Sequence, residues 1–138
     1  MQTYKSKNEV WDVSKLIELS KDMEVISWEV PFDFLQRWSW GEDHISEHIL
    51  RCVKADCSYP ILICDGYIVD GCHRTCRALS RGQAVVKAVD LTDCMPSPDF
   101  YEEADDHGES KWSFGDMVQI LRALDRVEYD FRHPIDGV

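Results

Sequence analysis

The alternation of apolar and polar positions along the chain predicts several short strands. Residues 25–30 alternate in the way that is typical of a strand with one buried face. The apolar runs 60–64 and 67–69 are joined by Asp65-Gly66, a dipeptide that favours the tight type I′ turn of a β-hairpin. Residues 84–91 predict one further strand. We therefore expect a small sheet that contains at least one antiparallel pair.

Four other segments have apolar residues at every third or fourth position, the spacing of an amphipathic helix. They are residues 14–21, with Ser14 as the cap, then 44–54, 72–81 and 113–125. Gly82 follows the third segment, at the place where a left-handed residue ends a helix. The order of elements predicts a single compact α/β (α+β) domain, in which a small mixed sheet is flanked by helices. Residues 1–95 are expected to form the core. Residues 96–138 are expected to form an acidic loop and a last helix packed on that core.

Length and composition agree with one soluble domain. The chain has 138 residues, of which 44% are hydrophobic, and this is enough for a core without a disulfide or a structural metal. Its apolar runs are far shorter than the roughly 20 residues that span a bilayer, and its first residues lack the apolar part of a signal peptide. We therefore expect a cytoplasmic protein with no membrane contact, whose six cysteines are thiols.

The charge is strongly acidic but uneven. Acidic residues outnumber basic ones by 26 to 15, a net charge of −11 that repels phosphodiester backbones and speaks against a nucleic-acid partner. Residues 99–109 carry six acidic residues and no basic one, a composition typical of a solvated, mobile loop. By contrast, residues 71–87 carry four bases and no acid. This basic segment is the part of the chain that is suited to an anion.

The turn Asp70-Gly71, between a predicted strand and a predicted helix, gives the clearest chemical signal. The free amides at a helix N-terminus favour an anion, and glycine permits close approach of a ligand to the backbone. Arg74 adds a guanidinium that suits a phosphate. Further donors follow within one turn: His73, Thr75 and Arg77. The pattern predicts a phosphate site. The alternative is that Gly71 only turns the chain and that Arg74 pairs with a carboxylate.

Residues 60–91 resemble the core of the ParB/sulfiredoxin superfamily, in which an apolar hairpin leads into a Gly-x-(His/Arg)-Arg turn, a helix, a glycine and a strand. Gly71-Cys72-His73-Arg74 is identical to the sulfiredoxin signature. With Asp70 in front, the segment matches the Asp-Gly-His-His-Arg motif of free serine kinases at four of five positions. Val30-Pro31-x-x-x-Leu35 is similar to the segment that opens the family's core, so the resemblance covers about residues 25–91, half of the chain.

The kinase resemblance implies transfer of a phosphoryl group from a nucleotide (ATP or ADP), with Mg²⁺, to a small-molecule acceptor. It places Asp70 at the reacting phosphate and a separate Glu as the base, for which Glu42 is the candidate. The phosphates would lie on the residues of the turn and the first helical turns: Gly71, Cys72, His73, Arg74, Thr75 and Arg77.

Three other interpretations stay open. A sulfiredoxin-like enzyme would use Cys72 as the nucleophile, since a thiol at a helix N-terminus beside Arg and His is suited to being a thiolate. However, sulfiredoxins have Gly or Ser where this chain has Asp70. A non-catalytic interaction or inhibitor protein would keep the fold and bind a protein partner through Trp38 and Trp40 or through residues 99–109. Partition proteins, which bind CTP through Gly-Glu-Arg-Arg and also bind DNA, are placed last because that motif is missing here.

A second motif bears on metal binding. His44-Ile45-Ser46-Glu47-His48 matches the His-x-x-Glu-His pattern of some zinc peptidases. That chemistry needs a third ligand from another helix and a larger domain. We therefore predict no metal site at these residues, which are instead expected to flank an amphipathic helix.

Overall fold

A computed structural model describes residues 2–31, 39–40, 45–103 and 112–132. Over these residues runs of two or three strands are each followed by a helix, which confirms the α+β class. The strands are β1 (Thr3–Ser6), β2 (Glu9–Asp12), β3 (Ile26–Glu29), β4 (Ser39–Trp40), β5 (Ile61–Cys64), β6 (Tyr67–Asp70), β7 (Val85–Asp90), β8 (Phe100–Tyr101) and β9 (Trp112–Ser113). The helices are α1 (Val13–Ser20), α2 (Ile45–Lys54), α3 (Cys72–Ser80) and α4 (Phe114–Arg132).

The central sheet has the strand order β3-β7-β5-β6 and is mixed, as predicted. β5 is parallel to β7, whereas the β3–β7 and β5–β6 pairs are antiparallel. The β5–β6 turn has positive φ angles at both central residues, 51° at Asp65 and 78° at Gly66, as a type I′ turn requires. β6 is thus an edge strand, and α3 begins directly after it.

Both faces of the central sheet are covered. On β5, Ile61 and Ile63 face a core cluster that includes residues of α2, α3 and α4, while Leu62 and Cys64 face a second cluster beneath α1 and β2. This explains why β5 is apolar at every position rather than alternating. The last helix contributes its buried residues to the first cluster: Met117, Val118 and Leu121.

The N-terminal hairpin was not predicted. β1 and β2 pair antiparallel across a turn in which Lys7 has a φ of 57°, and β8 adds a third strand to β2. The helix after the hairpin begins at Val13, two residues earlier than a cap at Ser14 implies. Its cap is Asp12, whose carboxylate accepts a hydrogen bond from the Ser14 amide.

The prediction of a mobile loop at residues 99–109 is wrong for the beginning of that segment. Phe100–Tyr101 forms β8, and the Asp99 carboxylate accepts a 2.7 Å hydrogen bond from the Asp12 amide and pairs with Lys15. These contacts tie the start of the acidic segment to β2 and α1. Residues 104–109 lie outside the described residues.

All six cysteines are free thiols. In the part of the chain that the structure describes, no helix has the length and apolar character needed to cross a membrane.

Candidate functional site

A cavity of about 1250 Å³ opens between β1, β6 and the N-terminus of α3. The predicted turn and first helical turn line the cavity from Asp70 to Arg74, together with the other residues of β6. The N-terminal hairpin lines it from Gln2 to Lys7, and Arg51 of α2 also contributes to the lining. The structure therefore brings the predicted motif to a cavity, together with a hairpin that sequence analysis missed.

Gly71 has a φ of 108°, in the left-handed half of the map that side chains rarely adopt. A Cβ at this position would lie 2.5 Å from Cγ2 and 2.8 Å from Cβ of Ile61. Glycine is required here because the turn packs against β5, which agrees with the alternative in which Gly71 turns the chain. The Gly71 carbonyl accepts 2.9 Å hydrogen bonds from the amide and the hydroxyl of Thr75, which start the helix.

Asp70, which precedes Gly71, and Arg74, in the first turn of α3, form an ion pair. Arg74 Nη2 donates to Asp70 Oδ2 at 2.9 Å, and Nη1 donates to the Pro60 carbonyl at 3.1 Å. The Gln2 side-chain amide donates to the other oxygen of Asp70 at 3.0 Å. This ion pair confirms the alternative in which Arg74 pairs with a carboxylate. A guanidinium has five N–H donors, so these bonds leave donors for a ligand.

The charge around the cavity is opposite to that of the whole chain. Its lining holds four basic side chains and two carboxylates: Lys5, Lys7, Arg51 and Arg74 against Asp65 and Asp70. The protein as a whole carries a net charge of −11. Lys5 also bonds the Glu103 carbonyl at 2.8 Å, and its ammonium lies 3.7 Å from the Glu102 carboxylate, so the acidic segment reaches the rim of the cavity. The lining concentrates positive charge where an anion would bind.

His73 lines the cavity and contacts His48 of α2. The two rings are stacked, and His48 Nδ1 lies 2.9 Å from His73 Nε2. Burial, followed by the neighbouring His48 and Arg51, lowers the pKa of His73 to about 4. His73 is therefore neutral at pH 7, and its Nε2 contacts His48 of α2.

We expect this histidine to make folding stability depend on pH. The unfolded chain binds a proton on His73 below pH 6.5, whereas the folded chain does not bind it until about pH 4. The free energy of unfolding should therefore fall as the pH is lowered from 6.5 towards 4. The test is to measure the free energy of unfolding by urea for the parent and for His73→Gln between pH 6.5 and pH 4. The free energy of unfolding should depend less steeply on pH in the variant than in the parent. An identical pH dependence would contradict this role of His73.

The structure does not bring every predicted site residue to the cavity. Thr75 is fully buried, and its hydroxyl is used within the helix. Arg77 is 7% exposed and makes two 3.0 Å hydrogen bonds to the Asp125 carboxylate of α4. Neither residue lines the cavity, and Arg77 instead holds α3 against α4. Glu42 lies outside the described residues.

Cys72 lines the cavity, but its environment is not that of a nucleophile. Its side chain packs against the core cluster below α3. Burial, and then the nearby Asp70 carboxylate, raise the pKa of this thiol far above its usual range. The sulfur is therefore a protonated thiol at neutral pH, contrary to the thiolate expected from its position at the helix N-terminus.

No metal centre is evident among the residues that the structure describes: none of their His, Cys, Asp and Glu side chains form a group of three that could hold an ion. Of the two histidines in the zinc-peptidase pattern, His48 contacts His73, and His44 lies outside the described part of the chain.

A scan against protein-family models finds no match, and searches of curated proteins and of solved structures find no significant similarity. The resemblance to the ParB/sulfiredoxin superfamily therefore depends on the motif residues alone.

Proposed function

We propose that this protein binds the phosphates of a nucleotide in the cavity at the N-terminus of α3, and that it acts as a small-molecule phosphotransferase similar to free serine kinases. The observation that carries the proposal is that four basic side chains line the cavity at that helix N-terminus, in a chain whose net charge is −11.

The cavity offers the groups that a phosphate binds. Gly71 has no side chain to cap α3, and the first turn of the helix carries no acidic residue, so no side chain of that turn caps the amides at the helix start. Such amides carry the positive end of the helix dipole. Arg74 stands beside them, and Arg51 approaches from α2. Charge-assisted hydrogen bonds of this kind are about twice as strong as neutral ones.

Asp70 supports the transfer step of the proposal. Phosphoryl transfer depends on positioned phosphates and on neutralised charge rather than on a covalent intermediate. Asp70 lines the cavity at the N-terminus of α3, and Mg²⁺ in nucleotide sites is held by one or two carboxylates together with the phosphates. The resemblance places Asp70 at the reacting phosphate. Glu42 stays the candidate base.

The other interpretations have less support. A sulfiredoxin-like mechanism needs a thiolate, and the raised pKa of Cys72 opposes one. The interaction-protein interpretation relies on Trp38, which lies outside the described residues, on Trp40, whose side chain is not described, and on residues 99–109. Of these, the contacts of Glu102 and Glu103 with Lys5 bear on the cavity.

Binding is tested by changing one basic side chain of the cavity at a time. Arg51 is exposed and lines the cavity, so Arg51→Gln should weaken ATP binding about tenfold without affecting folding. Arg74→Ala should weaken it at least as much. Affinity is measured by titration calorimetry, with ATP, ADP and CTP in the presence and absence of Mg²⁺.

Two control variants remove the same charge outside the cavity. Lys54 lies on the same helix as Arg51, and Arg81 lies at the end of the helix that carries Arg74. The Lys54 and Arg81 side chains are exposed, and the control variants are Lys54→Gln and Arg81→Ala. Each control should bind ATP as the parent does. Equal weakening by Lys54→Gln and Arg51→Gln would mean that only the overall charge matters. Failure of the parent to bind any nucleotide would overturn the proposal.

Transfer is then tested by ADP formation from ATP with free serine as the probe acceptor. Asp70→Asn should abolish ADP formation while leaving measurable ATP binding, and Cys72→Ser should preserve both. Loss of activity on Cys72→Ser would favour the sulfiredoxin interpretation instead. ATP binding without ADP formation would reject the kinase part of the proposal for this acceptor.

A further inference from the structure

The cavity has a second, aromatic end, away from the helix N-terminus. Tyr67, the first residue of β6, lines it and is 51% exposed. Tyr4 of β1 lines the same region and is stacked on Trp11, with the ring centroids 5.7 Å apart. Trp11 is buried in the core, and its indole donates to the Pro96 carbonyl at 2.9 Å. The exposed Tyr67 ring thus lines the cavity together with Tyr4, which the buried Trp11 holds in place by stacking.

β6 sets the distance between the two ends. Tyr67 and Asp70 are three positions apart on this strand, a span of about 10 Å. Tyr67 and Val69 point to the same face of the strand, and Val69 is buried in the cluster that contains Trp11 and contacts Tyr4. The Tyr67 ring therefore lies on the face of β6 that the N-terminal hairpin covers. This distance suits a ribose and a short chain of phosphates.

Both walls of this region are sheet edges. β6 ends the order of the central sheet, and β1 ends the order of the three-stranded sheet. Edge strands present backbone N–H and C=O groups to their surroundings, and these groups can pair with the polar rim of a planar ring. An exposed aromatic ring between two such edges suits a flat heterocycle.

We propose that the base of the nucleotide stacks on Tyr67, so that the ligand lies along β6 with its phosphates at the N-terminus of α3. The inference rests on the proposed function and identifies the ligand as a nucleotide rather than a simple polyphosphate. Stacking of a base on an aromatic side chain contributes about tenfold or more to affinity.

The test compares ATP with inorganic tripolyphosphate, which carries the phosphates without a base. By titration calorimetry the parent should bind ATP about tenfold more tightly than tripolyphosphate. Tyr67→Ala should abolish this preference and leave the affinity for tripolyphosphate unchanged, whereas Tyr67→Phe should keep the preference. Tyr59→Ala is the matched control, because Tyr59 is 63% exposed and does not line this cavity.

The outcomes separate the two proposals. Equal affinity of the parent for ATP and tripolyphosphate, or an unchanged preference in Tyr67→Ala, would overturn the stacking inference while the phosphate site stands. Absence of binding by both ligands would overturn the phosphate site and this inference with it. Thermal melts of each variant establish whether it is folded. If Tyr67→Ala is not folded, Tyr67→Phe still tests the inference, because this variant should keep the preference for ATP over tripolyphosphate.

Discussion

Replacing Gly71 by alanine is expected to lower the free energy of unfolding by about 3 kcal/mol. The added Cβ would be forced against Ile61 at 2.5 Å, on a fully buried strand that cannot move away. The φ of 108° adds backbone strain for any residue with a side chain. The loss should appear in denaturant unfolding, and ATP affinity should fall in the same variant because the start of α3 shifts.

Gly82 provides the control for this prediction. It also has a positive φ, 80°, but nothing lies within 4 Å of the position that its Cβ would take. Gly82→Ala should therefore show the backbone strain alone, about 1 kcal/mol. A Gly71→Ala variant no less stable than Gly82→Ala would mean that contact with Ile61 does not constrain the turn.

The elements predicted well from the sequence are those whose signals are local. Asp65-Gly66 has the positive φ angles that its turn type demands, and the helix after Gly71 ends before Gly82 as expected. Each of these features depends on the conformational preferences of one or two residues. This is why β5, β6 and α3, the parts that carry the candidate motif, were predicted almost to the residue.

The N-terminal hairpin was missed because its stability comes from distant contacts. β1 and β2 have only four residues each, and β2 gains its second partner from Phe100–Tyr101, about ninety positions further along the chain. A strand this short gives too few alternating positions to be distinguished from a loop. Lys5 and Lys7 were missed with it, although they supply half of the basic side chains of the cavity.

The basic segment 71–87 shows what charge patterns do not reveal. Arg74 and Arg77 lie one helical turn apart and were both assigned to a phosphate. Arg74 reaches the cavity, whereas Arg77 meets a carboxylate that comes from α4. Only the packing of α4 distinguishes the two residues, and nothing near Arg77 in the sequence indicates it.

The Arg77–Asp125 contact leads to the second large stability effect. Asp125→Ala should lower the free energy of unfolding by about 2–3 kcal/mol, because the buried Arg77 side chain then loses its carboxylate partner. Asp125 is 37% exposed, so water partly replaces it, and the loss should be smaller than for a fully buried pair. Denaturant unfolding measures the change.

The double variant Arg77→Met/Asp125→Ala separates the buried charge from the lost contact. Arg77 Nε has no hydrogen-bond partner among the described residues, so this guanidinium is incompletely satisfied even in the parent. Replacing it by an apolar side chain of similar length removes the cost of burying an unpaired charge. The double variant should therefore be more stable than Asp125→Ala alone. If it is less stable, the long side chain of Arg77 stabilises the α3–α4 contact by packing, and its charge matters little.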